Sequence, residues 1–155
     1  MPNHSSVPSE GTEEEELSLK LLVVMSKAYK SVMDKAAKDI KSYGISVTEF
    51  GILEVLYNKG EIPIQQIGGK VLITSGTMTY NIDKLAGKGL VRRMPCAEDR
   101  RVINAALTDE GRRLFDRIFP QHRSQLTAIM QSLSSAQKQQ AIELLKQLGK
   151  GANEQ

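Results

Sequence analysis

Between residues 90 and 107 an otherwise helical chain changes its period. Two short β-like runs, 90–95 and 101–107, enclose the polar turn "CAEDR", which reads as a hairpin. Gly89 closes the helix before it, and Thr108 followed by Asp109 and Glu110 caps a long helix after it. The hairpin therefore divides a helical chain in two, and whatever the chain folds into must present that β-tip between helices.

Helical periodicity covers most of the rest. Leu17, Leu21, Val24, Ala28, Val32, Ala36 and Ile40 recur at three- and four-residue steps from Glu13 to Ser42, with glutamates at 13 to 16 in the first turn. Ser46-Val47-Thr48-Glu49 predicts a capping box for a second helix carrying Phe50, Leu53 and Leu56. Pro63 suits the start of a short third helix, 64 to about 70, weakened by Gly68-Gly69. Thr74 or Ser75 is the expected cap of a fourth helix running to about Lys88. Pro120 is expected to kink or interrupt the fifth helix, and Ser134 with Gln137 predicts a capping box for a last helix ending at Gly149. The expected fold is mainly α with a small β-hairpin, and residues 46–107 read as a winged helix-turn-helix flanked by helices from both termini.

Composition narrows the function without naming it. Forty per cent apolar and a quarter charged residues are ordinary for a soluble domain. No apolar run approaches the roughly 20 residues of a membrane span. "MPNHSSVPSEGTEEEE" lacks the apolar stretch of a signal peptide, and the single cysteine, Cys96, fits a reducing compartment, so the expected location is the cytoplasm. Catalysis has little to build on. His4 and His122 have no neighbours suggesting a triad or a metal site, and Gly69-Lys70 and Gly87-Lys88 lack the Ser or Thr of a phosphate-binding loop. No metal and no cofactor are expected.

The distribution of charge says more than the net +3. From Thr74 to Asn104, six basic residues (Lys84, Lys88, Arg92, Arg93, Arg100, Arg101) face three acids (Asp83, Glu98, Asp99), a local excess equal to that of the whole chain. In the fourth helix Met78, Ile82 and Leu85 fall on one face, whereas Thr77, Tyr80, Asn81, Lys84 and Lys88 are expected on the other. Hydroxyls, an amide and lysines suit a major groove and its phosphates. An arginine-tipped wing suits the narrow minor groove, and Asp99 can orient one guanidinium through a charge-assisted pair.

With those residues in view, the chain resembles the MarR family of transcriptional regulators. The resemblance rests on "ITSGTMTYNIDKLAGKGLVRR" (73–93) and "EDRRVINAALTDEG" (98–111), in which Asp99-x-Arg101, Leu107-Thr108 and Gly111 match the family's wing-and-helix motif. It implies a homodimer built from the first, fifth and sixth helices, with double-stranded DNA as partner. The implied organisation is a disordered tail at 1–12, a dimerisation helix at 13–45, a DNA-binding region at 46–107, dimerisation helices at 108–149 and a flexible tail at 150–155. Recognition contacts are implied on the stretch with Ser75, Thr77, Thr79, Tyr80 and Lys84, the wing arginine on Arg101 and its supporting acid on Asp99. Two departures stand out: Gly68-Gly69 where helix formers are common, and Tyr80 where a basic residue is frequent.

Repression, with release by a small phenolic or aromatic effector, is likewise implied by the resemblance; release by oxidative or electrophile stress is a separate expectation that rests on Cys96, since the first helix lacks the cysteine of the family's peroxide sensors. Met25, Tyr29, Tyr43, Phe50 and Tyr57 are the expected effector lining. The competing expectation is a helical module that binds protein or RNA without sequence-specific DNA recognition. Cys96 lies among arginines that favour its thiolate, although Glu98 and Asp99 oppose them. A sensing role for this thiol requires that Cys96→Ser keep its DNA under an oxidant that releases the parent protein, as read by gel shift.

Overall fold

The computed structural model describes residues 11–71 and 77–155. In chain order it contains α1 (Glu13–Ser42), α2 (Val47–Lys59), β1 (Ile62–Pro63), α3 (Ile64–Gly68), α4 (Met78–Gly87), β2 (Val91–Pro95), β3 (Ile103–Leu107), α5 (Asp109–Ile129) and α6 (Ser135–Asn153). Helices dominate, and the strands form one antiparallel sheet in the order β1-β3-β2. This is the expected winged helix-turn-helix. The chain divides into two compact units, residues 1–34 and 35–155.

In the first unit, α1 begins on a reciprocal cap. The Thr12 hydroxyl accepts from the Glu15 amide at 3.2 Å, and the Glu15 carboxylate accepts from the Thr12 amide at 2.8 Å. Leu17, Leu21, Leu22 and Val24 remain exposed along this helix.

The second unit holds the core. Ile52, Leu53 and Leu56 of α2, Ile67 of α3, Ile82 and Leu85 of α4, Ala105 of β3 and Phe115 of α5 are all fully buried. Phe115 is the aromatic centre, with ring centroids 5.5 Å from Phe50, 4.8 Å from Tyr57 and 4.9 Å from Phe119. The hairpin pairs Val91 with Leu107 and Pro95 with Ile103. Its third strand, β1, was not anticipated: Ile62 and Pro63 pair with Ala105 and Asn104. Two residues are too few to carry an alternating pattern, so the sequence offers no signal for it.

The joint between α4, β2 and α5 is made of backbone. Gly89 adopts φ +74°, and α4 ends in a Schellman motif with Gly89 N–H donating to Ala86 O and Leu90 N–H to Leu85 O. Thr108 donates its hydroxyl to Gly89 O at 2.6 Å and its amide to Leu90 O at 3.1 Å, while the hydroxyl also caps α5 by accepting from Gly111 N–H. A Cβ on Gly111 would lie 2.1 Å from Leu90 O.

Four expectations need correction. The cap of α4 is Thr77, whose hydroxyl accepts from Tyr80 N–H, not Thr74 or Ser75, which lie outside the described residues. Pro120 does not interrupt α5, because Phe115, Ile118 and His122 on either side of it are buried along one stripe. Gly149 does not end α6, which continues to Asn153; Gly149 does not take the positive φ of a helix-ending glycine. The box at Ser46 is half formed: Ser46 accepts from Glu49 N–H at 3.0 Å, but the Glu49 carboxylate is engaged elsewhere.

Gly111→Ala forces a methyl against backbone that cannot rotate away. The expected cost is about 3 kcal/mol or more, read as a lowered denaturant midpoint at fixed protein concentration.

Candidate nucleic-acid interface

The outward face of α4 follows from helical geometry. Ile82 and Leu85 are fully buried and Met78 half-buried, which leaves Thr79, Tyr80, Asp83 and Lys84 exposed beside the cap Thr77. Tyr80, with 58% of its surface exposed, is the most prominent group there. Asn81 is not on this face. It is buried, and its Nδ2 donates to Thr77 O at 2.9 Å. Position 81 is three residues after Met78 and four before Leu85, so it belongs to the inward stripe. Thr74 and Ser75 lie outside the described residues.

Lys84 and Lys88 are exposed in part, but both reach back to α2. The buried Glu49 carboxylate accepts from Lys88 Nζ at 2.6 Å and lies 3.5 Å from Lys84 Nζ. The Lys84 ammonium also lies 5.6 Å from the Tyr80 ring centroid. Arg93 of β2, though exposed, is also engaged by α4, pairing with Asp83 and donating to Thr79 O at 3.5 Å. Sequence reasoning missed both ties, since only the fold brings residue 49 beside 88, or 83 beside 93. Arg92 and Arg100 are exposed.

The wing tip is organised by one side chain. Asp99 Oδ1 accepts from the Arg101 amide at 3.1 Å, closing an Asx turn, and from Arg101 Nε at 3.2 Å, while Oδ2 accepts from Nη2 at 3.3 Å. These bonds, the side-chain ones first, hold the Asp99 carboxyl below the usual carboxylate range. The lowered value means that the wing gains from the pair above the ordinary Asp range and loses it only as pH falls through the depressed value. The Arg101 side chain stays 91% exposed despite its partner. It is therefore oriented and still presented to solvent. Thr79, Arg93 and Arg101 line one recess with Gln65 of α3, so α4, the sheet and the wing share a surface.

A winged helix-turn-helix whose polar helix and cationic wing lie on one surface has the architecture of a DNA-binding transcriptional regulator. The MarR family model matches residues 45–103, spanning α2 to the start of β3. Over 139 residues the chain is 42% identical to the HTH-type transcriptional regulator MhqR of Bacillus subtilis, covering 90% of this chain and 96% of that protein. This chain belongs to the MarR family. Among solved structures it is similar to Sco3205 of Streptomyces coelicolor in complex with DNA, with a TM-score of 0.76 at 23% identity over 94% of this chain and 92% of that one. It is also similar to BpsR of Bordetella bronchiseptica, a regulator whose DNA binding is regulated by 6-hydroxynicotinic acid, with a TM-score of 0.73 at 20% identity over 96% and 98% of the two chains. Among the described residues no helix is long and apolar enough to cross a membrane.

The residues expected to line an effector site fall in both units. Met25 and Tyr29 lie in the first unit, with Tyr29 exposed. Phe50 is core, and Tyr57 packs on Phe115 with its hydroxyl donating to Asp116 at 2.6 Å. Cys96, a half-buried thiol, donates its backbone N–H to Val102 O at the base of the wing turn. Tyr43 donates to both oxygens of Asp39, at 2.9 and 3.0 Å, and Asp39 Oδ2 lies 2.8 Å from His122 Nδ1, so the Asp39 carboxylate at the end of α1 joins the phenol to His122 of α5.

Burial, then the Asp39 hydrogen bond and charge, push the Tyr43 phenol up from 10 to about 12. A raised phenol stabilises the fold fully below pH 10, and that contribution is lost as pH rises through about 12. Stability measured across that window should fall less in Tyr43→Phe than in the parent, and the variant should lack a phenolate that appears at about pH 12 in the parent's ultraviolet titration.

Proposed function

We propose that the chain is a homodimeric, sequence-specific DNA-binding repressor of a pseudo-palindromic operator. The observation that carries this reading is the joint exposure of Thr77, Thr79 and Tyr80 on α4 with a wing ending in Arg100 and Arg101. Thr and Tyr hydroxyls in a major groove read base edges and phosphates. Arg101, oriented by Asp99, enters the adjacent minor groove, where the negative potential concentrates. Arg92 and Arg100 supply charge toward the backbone.

Dimerisation is supported by apolar surface that one chain leaves uncovered. Leu17, Leu21 and Val24 on α1, and Ile142, Leu145 and Leu148 on α6, are exposed leucine, isoleucine and valine side chains on amphipathic helices. The segments 13–45 and 108–149 are thus assigned to the dimer and 46–107 to DNA. A two-fold pair presents its reading helices about one turn of duplex apart, roughly 34–36 Å.

Release completes the cycle. A small aromatic or phenolic effector that binds one dimer arrangement better than the other shifts the population away from DNA. The effect of 6-hydroxynicotinic acid on BpsR supports this class of ligand. Oxidation or alkylation of Cys96 at the wing is the second route. A repressor of this kind works beside the chromosome, in the cytoplasm.

The test uses the DNA upstream of its own gene as probe. Light scattering should give twice the 17.1 kDa of one chain. Replacing Arg100 and Arg101 together by Gln should weaken binding about tenfold or more, consistent with about 1–3 kcal/mol per groove contact. The salt dependence should flatten by about 0.9 for each phosphate contact removed. A monomer on DNA, or affinity indifferent to both substitutions, overturns the proposal.

A further inference from the structure

Lys84 and Lys88 lie on the recognition helix, where lysines ordinarily neutralise phosphate, yet their ammonium groups meet a carboxylate from α2. Glu49 is buried, with 2% of its side chain exposed, and it accepts from Lys88 at 2.6 Å with Lys84 at 3.5 Å. Its backbone N–H is used by the Ser46 cap. A carboxylate so far from water is stable only while paired, so a lysine that swings out to a phosphate leaves an uncompensated buried charge.

We propose that Glu49 is a positioning residue for DNA recognition: it withholds Lys88, and partly Lys84, from the phosphate backbone. The inference rests on the DNA-binding reading given above. Phosphate contacts raise affinity for every sequence alike, whereas base-edge contacts discriminate. By holding two cations against α2, Glu49 removes sequence-indifferent attraction from α4 and leaves Thr77, Thr79 and Tyr80 to read the groove. It also ties α4 to α2 at two points one helical turn apart, which fixes the angle at which the reading face is presented. Counting Glu49 with residues 74–104 lowers the local excess from +3 to +2. Lys84 and Lys88 are held by Glu49, Arg93 by Asp83 and Arg101 by Asp99, which leaves Arg92 and Arg100 as the two basic side chains of that set with no ion pair among the described residues.

The experiment is a salt series from about 50 to 200 mM on the full chain, with a labelled mixed-sequence duplex of about 30 base pairs and the upstream fragment as separate probes. Glu49→Gln should steepen the salt dependence on the mixed-sequence probe by about 0.9 per lysine released. For one lysine that is about a 3.5-fold greater loss of affinity across a fourfold rise in salt. Binding to the mixed-sequence probe should tighten at low salt, and the ratio of upstream to mixed-sequence affinity should fall. The double variant Glu49→Gln with Lys88→Gln should return toward the parental slope, which a mere loosening of α4 would not produce.

Parallel slopes for parent and Glu49→Gln overturn the inference while leaving DNA binding itself intact. A parent that binds neither probe overturns the functional reading as well. Where Glu49→Gln fails to fold, Lys88→Gln in the otherwise parental chain, which keeps Lys84 beside Glu49, decides alone. A parental slope supports the withheld lysine, and a slope flatter by about 0.9 shows that Lys88 was a phosphate contact all along.

Discussion

The backbone of Gly89 and Leu90 is the point at which three elements are joined. The Schellman end of α4, closed by the N–H groups of these two residues, sets the direction of β2, and their carbonyls receive the hydroxyl and amide of Thr108, which caps α5. Gly111 lets the first turn of α5 come within a distance that excludes any side chain. The recognition helix, the wing and the long helix proposed to carry the dimer contact therefore meet through hydrogen-bonded backbone. Side chains at such a junction could repack; backbone this close cannot. The wing is held in a fixed relation to α4, and Asp99 continues that rigidity to the tip.

Much of this was legible in the sequence because the signals are local. The bounds of α1, the Ser46, Thr108 and Ser134 caps and the hairpin each depend on residues a few positions apart, and each is found within a residue or two of expectation. The failures have equally physical causes. Two-residue β1 has no period to detect, and it exists only because β3 offers an edge. Pro120 was expected to break a helix that tertiary packing preserves. Asn81 was assigned by its polarity to a face that its spacing denies, and its Nδ2 donates instead to the carbonyl of the cap residue Thr77.

The interface was legible in kind and not in its wiring. Counting charges along residues 74–104 located the cationic region, and the Asp99–Arg101 pair was accessible because the two residues are neighbours. The ties from Glu49 to α4 and from Asp83 to Arg93 were not, since they join positions 39 and 10 residues apart. Glu49 is instructive because its place in the capping motif is real at the backbone while its carboxylate serves a different helix. A side chain identified by one local role can spend its charge on a distant one.

The unbroken α5 has a mechanical consequence. Its 21 residues span about 31 Å from the turn beneath the wing to Ile129. A rod of that length tilted by about 5° carries its far end roughly 3 Å, close to the 3.4 Å step from one base to the next along a DNA strand. Had Pro120 divided the helix, the bend would absorb such a tilt. As built, a lever anchored at Thr108 and Gly111 converts a tilt of about 5° into a displacement of roughly 3 Å at Ile129.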